Sequence, residues 1–325
     1  MNVSAQCLAG ATFVFAFCAC GVAQQTPAFP SRTVQIVVPF TAGATADLLA
    51  RLIGPRLAER WNVAVVTDNR PGASGSIGIG YAAKAPADGH TLLFVATSFG
   101  MLPALQPKQP FDAVKSFAPV AIMATSALSL VVHPVLPVRS VAEFLALAKR
   151  RPGQLHYPSP GNGTPQHLVM ELFKLETGAD IVHVPYRGLS LAINDLVGGH
   201  VEVMIPTLQT IHPHVTAGKL RMLAVLSGER SSVFPAVPTL REQGLAQLEV
   251  ETWYGALVPA GTPAAVIGKL NAEINSVLQQ PEIPAQLAKL GMHATSGPPA
   301  RFEALVRSEL ARWTRVVAAA KIKPD

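Results

Sequence analysis

The chain has 325 residues, 49% of them hydrophobic and 14% charged, and this length and composition predict about two packed domains. The formal net charge is +6, but the basic residues are spread along the chain and lack interleaved aromatic side chains. Nucleic acid is therefore excluded as the predicted partner, whereas a mildly basic body helps to attract small organic anions. The sequence also lacks internal repeats and heptads, which excludes solenoids and coiled coils.

Residues 1–23 are predicted to be a signal peptide. The segment is small and apolar, and Gly21-Val22-Ala23 resembles the small-x-small pattern that precedes a cleavage site. All three cysteines lie before this site, so the mature, secreted chain has none. Because no Lys or Arg precedes Arg32, the usual basic region is missing. A poor lipobox at 17–20, or retention of the segment as a membrane anchor, therefore stays open as an alternative.

Strand-like and helix-like segments alternate after Arg32. In the first third, the pattern predicts strands at 34–40, 63–66 and 91–96, with helices at 47–61 and 74–84. In the middle, it predicts strands at 128–133, 155–157, 181–184, 201–205 and 221–226, with helices at 140–149, 165–176 and 191–197. Ser140 and Glu143 have the spacing of a capping box at the start of one of these helices. This β-loop-α rhythm predicts an α/β fold with parallel sheets.

The last third has one predicted strand, at 254–258, and two or three amphipathic helices, of which those at 264–278 and 301–320 are the clearest. These helices have no strands of their own to cover, so we expect them to pack on the first sheet. Residues 24–125 plus 251–325 then form one discontinuous lobe, and residues 126–250 form the other. Two crossings between the lobes, near 125 and 250, predict a hinged cleft.

Small and hydroxyl residues occupy four junctions between a strand and a helix, at 40–45, 72–76, 159–164 and 186–190. A helix N-terminus presents unpaired N–H groups and the positive end of the helix dipole. In open α/β sheets such loops lie at the carboxyl ends of strands, where ligands bind. The four junctions therefore predict a site for a carboxylate or phosphate group that needs no Arg or Lys.

Other chemistry has little support in the sequence. Residues 78–83 match G-x-G-x-x-A but do not directly follow a strand, and a P-loop motif is missing. His212 and His214 lack a Cys or HExxH partner, and Pro213 between them predicts an exposed bend rather than a metal site. No motif places a base next to a serine nucleophile, and the mature chain has no thiol. We therefore predict a binding protein rather than an enzyme, with no cofactor and no metal.

Nine sequence motifs, in order along the whole mature chain, resemble the tripartite tricarboxylate transporter receptor family, also called Bug receptors. They are VVPFTAG at 37–43 followed by Asp47, NRPGASG at 69–75, ADGHTLL at 87–93, FAPV at 117–120, SPGNGT at 159–164, HVPYRG at 183–188, AGKLR at 217–221, WYG at 253–255 and PAGTP at 259–263.

This resemblance implies an α/β periplasmic-binding-protein-like fold of type II, a Venus flytrap whose two lobes each have a mainly parallel sheet flanked by helices. It implies a monomeric periplasmic receptor that delivers a small organic carboxylate, a di- or tricarboxylate or an aromatic acid, to inner-membrane transporter subunits. A ligand-sensing partner of a membrane kinase and a secreted hydrolase are the alternatives. The residues expected to bind the ligand are Phe40, Thr41, Ala42, Gly43, Ala44, Thr45, Asp47, Ser74, Ser76, Thr97, Ser98, Ser159, Gly161, Asn162, Gly163, Thr164, His167, Tyr186 and Pro206. His167 is placed either to reach the cleft or to bond to the backbone of its own loop.

The chain departs from the family pattern at three positions. Ala44 replaces the second of two consecutive glycines, and Ala46 replaces a hydroxyl residue before Asp47. Where relatives often carry an Asp that faces the ligand, this chain has Pro206. Loss of that acid predicts a preference for purely anionic or aromatic acids over ligands with an amino group.

Overall fold

The computed structural model describes residues 29–322, so the predicted signal peptide lies outside the described residues. Within them, eleven strands follow one another: β1 Val34–Val38, β2 Val65–Asn69, β3 Thr91–Ala96, β4 Phe117–Ala127, β5 Ser129–Val132, β6 Leu155–Ser159, β7 Ile181–Pro185, β8 Val203–Met204, β9 Arg221–Val225, β10 Glu251–Pro259 and β11 His293–Ala294. The same residues contain ten α-helices: α1 Thr45–Trp61, α2 Ser76–Ala83, α3 Ser98–Leu105, α4 Val141–Arg150, α5 Pro165–Thr177, α6 Leu189–Val197, α7 Leu208–Thr216, α8 Ala264–Leu278, α9 Glu282–Lys289 and α10 Pro299–Ala319.

The first lobe is built on a six-stranded sheet with the order β11-β4-β10-β3-β1-β2. β1 pairs in parallel with both β2 and β3, whereas β10 runs antiparallel to β3 and β4. The helices α1 and α8 cover one face of this sheet with a core that includes Leu49, Ile53 and Ile274. The other face is covered by α2, α3 and α10, with Phe302 fully buried.

The second lobe repeats this order of strands. Its sheet segments are β8-β5-β9 and β6-β7. The backbone N–H of Glu202 donates to the carbonyl of His156 at 3.1 Å, which places β6 beside β8. The resulting order, β7-β6-β8-β5-β9, matches β2-β1-β3-β10-β4 of the first lobe, and in both the fourth strand is antiparallel to its neighbours. The two-lobed α/β fold is therefore confirmed. The sheets are mixed rather than mainly parallel as predicted. β1 pairs in parallel with β2 and β3, and β6 with β7, whereas the strand that arrives from the other lobe, β10 or β5, enters the sheet in reverse.

The chain passes between the lobes where β4 ends at Ala127 and β5 begins at Ser129, and it returns where β10 begins at Glu251. The sequence assigned 251–325 wholly to the first lobe, but the last turns of α10 pack elsewhere. Trp313, Val316 and Val317 belong to the same buried cluster as the helices and strands of the second lobe. α10 thus begins on one lobe and ends on the other.

Three helices lie outside the ranges that the sequence predicted. α3 contains Gly100 and Pro103 in only eight residues, a composition that disfavours a helix interior. α7 contains Pro213, so the predicted exposed bend at His212–His214 is wrong and these residues are helical. α9 was the third. Among residues 29–322, none of the helices has the length and apolar character of a membrane span, and none of the His, Cys, Asp and Glu groupings could hold a metal ion.

Candidate functional site

The first candidate loop connects β1 to α1 and is held by the carboxylate of Asp47. Asp47 is 1% exposed, and its oxygens accept hydrogen bonds from the N–H of Gly43 at 2.8 Å, from Arg51 Nε at 2.9 Å and from Asn69 Nδ2 at 3.0 Å. Asn69 also donates to the carbonyl of Phe40 at 3.2 Å. Asp47 therefore holds the loop from its buried side, while residues 41–43 are exposed to solvent.

Opposing effects set the ionisation of this carboxyl. Burial alone would raise the pKa of Asp47, but hydrogen bonds from Arg51, Gly43 and Asn69, together with the positive charge of Arg51, outweigh it and lower the pKa below the ordinary value. The carboxylate is thus ionised at neutral pH. Ala44, the residue that departs from the family pattern, has φ −67° and ψ 156°, which an alanine adopts without strain.

The second candidate loop lies between β2 and α2 and has an unusual backbone. Ala73 and Ser74 have positive φ angles of 47° and 56°, which non-glycine residues seldom adopt. Gly72 has φ 122°, and a Cβ there would lie 2.7 Å from the side chain of Ile77. Such strain is common where a loop must present particular groups. The predicted Ser76 turns away from this loop, because its hydroxyl donates to the side-chain oxygen of Gln109.

At the end of β3, Thr97 and Ser98 have different roles. Thr97 is 3% exposed, and its hydroxyl accepts from the N–H of Trp253 at 2.7 Å and lies 3.3 Å from the carbonyl of the same residue. Thr97 therefore fastens β3 to β10. Ser98 is the first residue of α3, is half-buried and lines the cavity between the lobes.

The third candidate loop lies between β6 and α5 in the second lobe. Ser159 is fully buried, and its hydroxyl accepts from the N–H of Gly161 at 3.1 Å and lies 2.7 Å from Nε2 of His183. The hydroxyl of Thr164 donates to the carbonyl of Gly161 at 2.8 Å. The N–H of Gly163 donates to Nδ1 of His167 at 3.0 Å. Of the two interpretations of His167, the structure thus supports the bond to its own loop.

The first and third loops share one design. Each has a glycine with positive φ just before the helix N-cap, Gly43 at 85° and Gly163 at 70°. In each, the glycine N–H donates to the side chain four residues later, in the first helical turn: Asp47 in one lobe and His167 in the other. These contacts are relatives of the capping box. These two N–H groups thus already have acceptors in the first turn of the following helix. They fix the shape of the loop and are not available to a ligand.

A cavity of about 130 Å³ lies between the two lobes. Its lining residues come from both lobes and carry no formal charge; they are Ser74, Ser98, Met101, Leu102, Leu105, Gln106, Asn162 and Gly163. The structure therefore brings four predicted residues into one interlobe cavity, two from each lobe. The residues from α3 were missed, because that helix was itself not predicted.

Residues 40–45 and Asp47 of the first loop were predicted to bind the ligand but do not line this cavity. Two more predicted residues lie further along the second lobe. The backbone N–H of Tyr186 donates to the carbonyl of Ser159 at 2.9 Å, and its hydroxyl donates to Asp195 at 2.6 Å. Pro206 is buried at the end of β8, where its carbonyl accepts from the N–H of Ser129 at 3.0 Å. Tyr186 therefore supports the third loop, and Pro206 lies beside the crossing from β4 to β5.

A larger cavity, of about 500 Å³, lies behind the crossing strands. Its lining includes Thr125, Glu251, Trp253, Arg301 and Arg312, and it contains none of the residues predicted to bind a ligand. It lies against α10 rather than at the loop before α2, at α3 and at the loop before α5. The smaller interlobe cavity is therefore the candidate site.

Comparison with known proteins identifies the relatives of this chain. Residues 49–322 match the sequence profile described as "Tripartite tricarboxylate transporter family receptor". Protein BugT of Bordetella pertussis is 35% identical over 291 residues, which cover 89% of each chain. The solved structure of Rpa4515 from R. palustris with adipate is 36% identical, with a TM-score of 0.73 over 91% of this chain and all of that one. MatC from Rhodopseudomonas palustris with bound malate is 32% identical, with a TM-score of 0.71 over 89% of this chain and all of that one.

Proposed function

Since the chain belongs to the tripartite tricarboxylate transporter receptor family, the Bug receptors, we propose that it captures a small dicarboxylate in the cavity between its lobes and presents it to membrane transporter subunits. The observation that carries the proposal is the interlobe cavity lined by Ser74 and Ser98 from one lobe and by Asn162 and Gly163 from the other. Two related structures of this fold contain adipate and malate, both dicarboxylates. A receptor of this kind acts in the periplasm, after removal of residues 1–23.

The uncharged lining supports recognition of a carboxylate by neutral donors. Hydroxyl, amide and backbone N–H groups hold an anion well when they are fixed in position before the ligand arrives. Ser98 begins α3 and Asn162 lies in the loop before α5, and the N-termini of both helices favour negative charge. Apolar side chains of α3, Met101 and Leu105 among them, provide surface for the aliphatic part of a diacid.

The proposed ligand has no amino group. No charged side chain lines the interlobe cavity. An ammonium group brought into such a site would lose its hydration without gaining a carboxylate partner. We therefore expect adipate and malate to bind more tightly than glutamate and aspartate.

The test uses purified mature protein from which copurified ligand has been removed by partial unfolding and refolding. Thermal unfolding and calorimetry are measured with adipate, malate, glutamate, aspartate and an aromatic acid. A ligand that binds at 100 times its Kd stabilises the folded state by about 2.7 kcal/mol, so an increase of several degrees in Tm is expected. Each ligand is then recovered and assayed for chemical change.

Two results would contradict the proposal. One is the absence of stabilisation by any carboxylate, and the other is conversion of the ligand, which would favour the hydrolase alternative. Tighter binding of aspartate or glutamate than of the plain dicarboxylates would contradict only the selectivity. The variant N162A is expected to bind more weakly, because it removes a polar cavity side chain, while K108A outside the cavity serves as the control.

A further inference from the structure

Two histidines from different elements lie directly beneath the loop before α5. His167 is in the first turn of α5, and its Nδ1 accepts from the N–H of Gly163 at 3.0 Å. His183 is on β7, and its Nε2 lies 2.7 Å from the hydroxyl of Ser159. The two imidazole rings stack, with centroids 3.9 Å apart and an interplanar angle of 8°. The beginning and the end of the loop are thus joined through one pair of rings.

The direction of one hydrogen bond assigns the charge of His167. A backbone N–H is only a donor, so Nδ1 of His167 must present its lone pair to Gly163. The imidazole is then neutral, with its proton on Nε2. A second proton would occupy the same lone pair and place two N–H groups against each other. Stacking adds to the penalty, because two protonated rings 3.9 Å apart would repel.

The titratable groups packed around the two rings form hydrogen bonds with one another. Tyr157, opposite His183 on the neighbouring strand, stacks on His183 with centroids 4.8 Å apart. The Tyr157 hydroxyl donates to Glu171 at 2.5 Å, and Lys174 Nζ lies 2.7 Å from the same carboxylate. Burial, followed by the negative charge of Glu171 and the hydrogen bond to it, raises the pKa of Tyr157 far above its ordinary value. The charge of Glu171 is thus compensated locally, and Tyr157 stays neutral.

We propose that His167, backed by His183, is a positioning residue that shapes the ligand loop of the second lobe only in its neutral form. Protonation of His167 releases Gly163, which lines the interlobe cavity, and thereby weakens the binding of a carboxylate. The effect on affinity rests on the proposed function. The effect on the loop does not, because Gly163 is bound to His167 without any ligand.

The first lobe suggests the most informative variant. At the equivalent helix position, the side-chain oxygen of Asp47 reaches the N–H of Gly43 at 2.8 Å. An asparagine at 167 has the same shape as an aspartate and presents an oxygen acceptor that does not titrate. H167N is therefore expected to keep the bond to Gly163 at any pH, whereas H167L removes the acceptor. His156, a 41% exposed side chain beside Glu202, provides the matched control H156N.

The first experiment measures the affinity for adipate between about pH 8 and about pH 5.5, a range that spans the ordinary pKa of histidine. The loss of one hydrogen bond predicts that the Kd of the wild type and of H156N increases by about five- to tenfold on acidification. H167N should bind more tightly than H167L at about pH 8 and should lose this increase. Protonation of adipate itself affects all variants equally, so the ratios between variants report on the protein. The same increase in H167N as in the wild type would overturn the proposal.

The second experiment needs no ligand. Nitrogen-15 NMR of the ligand-free protein should show Nδ1 of His167 unprotonated at about pH 8. The amide resonance of Gly163 should shift along the titration curve of His167, and it should not do so in H167N. A proton on Nδ1 would overturn the proposal, and so would a Gly163 amide resonance that does not shift as His167 titrates. Both results are independent of what binds in the cavity. If these spectra agree with the proposal but no carboxylate binds, the proposed function fails and the role of His167 stands.

Discussion

In the first lobe, the loop before the long helix α1 is held by the buried carboxylate of Asp47, whereas in the second lobe the loop before α5 is held by the imidazole of His167. The two side chains occupy the same helix position and accept from a glycine at the same distance along the chain. One anchor is an ion supported by Arg51, and the other is a neutral ring. The same local geometry therefore gives the two lobes different responses to pH.

The lobes also differ in which segments of the chain form their hydrophobic cores. The two buried clusters of the first lobe consist of residues from its own segments. The main cluster of the second lobe includes Met101 from α3 and Trp313 from α10, both of which begin on the first lobe. The second lobe thus depends on helices supplied from outside it, and its stability should respond to changes in them.

The largest expected effect comes from removing Trp313, which is fully buried and donates through Nε1 to Glu309 at 2.7 Å. W313A should lower the free energy of unfolding by about 3–5 kcal/mol, the usual cost of deleting a buried aromatic side chain. The substitution should accelerate hydrogen exchange more strongly in β6 of the second lobe than in β3 of the first. The control is F302A, which deletes a buried aromatic of the same helix from the first lobe and should show the reverse order. Equal acceleration in both lobes by W313A would contradict the comparison.

The next effect concerns the ionic anchor of the first lobe. D47A leaves the N–H of Gly43 and the side chain of Asn69 without their shared acceptor, so it should cost about 1–3 kcal/mol and weaken adipate binding. D47N keeps an acceptor for Gly43 but loses the charge that pairs with Arg51, and an intermediate cost is expected. Because the pKa of Asp47 is lowered in the folded state, this stabilisation is complete above the ordinary aspartate pKa of about 3.9 and disappears only as the pH falls through the lower folded value. A difference in stability between the wild type and D47A that changed between about pH 8 and about pH 5.5 would contradict this anchor.

The sequence predicted elements well where local signals agree with tertiary packing. The strand Thr91–Ala96 and the helix Ala264–Leu278 have the predicted bounds, and Ser140 accepts from the N–H of Glu143 at 3.2 Å, as the capping box requires. The helix α3 was missed because Gly100 and Pro103 oppose it locally, and it forms where it packs against α10. Local preference is a weak guide wherever packing decides.

The candidate site, like the fold, could be predicted from the sequence only in part. Two of the four junctions of small residues, those with Ser74 and Asn162, line the interlobe cavity, whereas the junctions at 40–45 and 186–190 do not. The direction of each hydroxyl depended on partners far away in sequence: Ser76 bonds to Gln109, and Ser159 lies against His183. No pattern within a single loop contains that information. The role of His183 therefore emerged only from the tertiary structure.

The smallest effect should come from the ion pair between Arg315 of α10 and Glu176 of the second lobe. Arg315 Nη2 lies 2.7 Å from Glu176 at the end of α5, but its side chain is 64% exposed. Water and salt screen such a pair, so R315A should change the free energy of unfolding by less than about 1 kcal/mol. Chemical denaturation of R315A and W313A side by side then separates charge from apolar packing as the link between α10 and the second lobe. If R315A cost as much as W313A, the link would be electrostatic, and its strength should fall as salt is added.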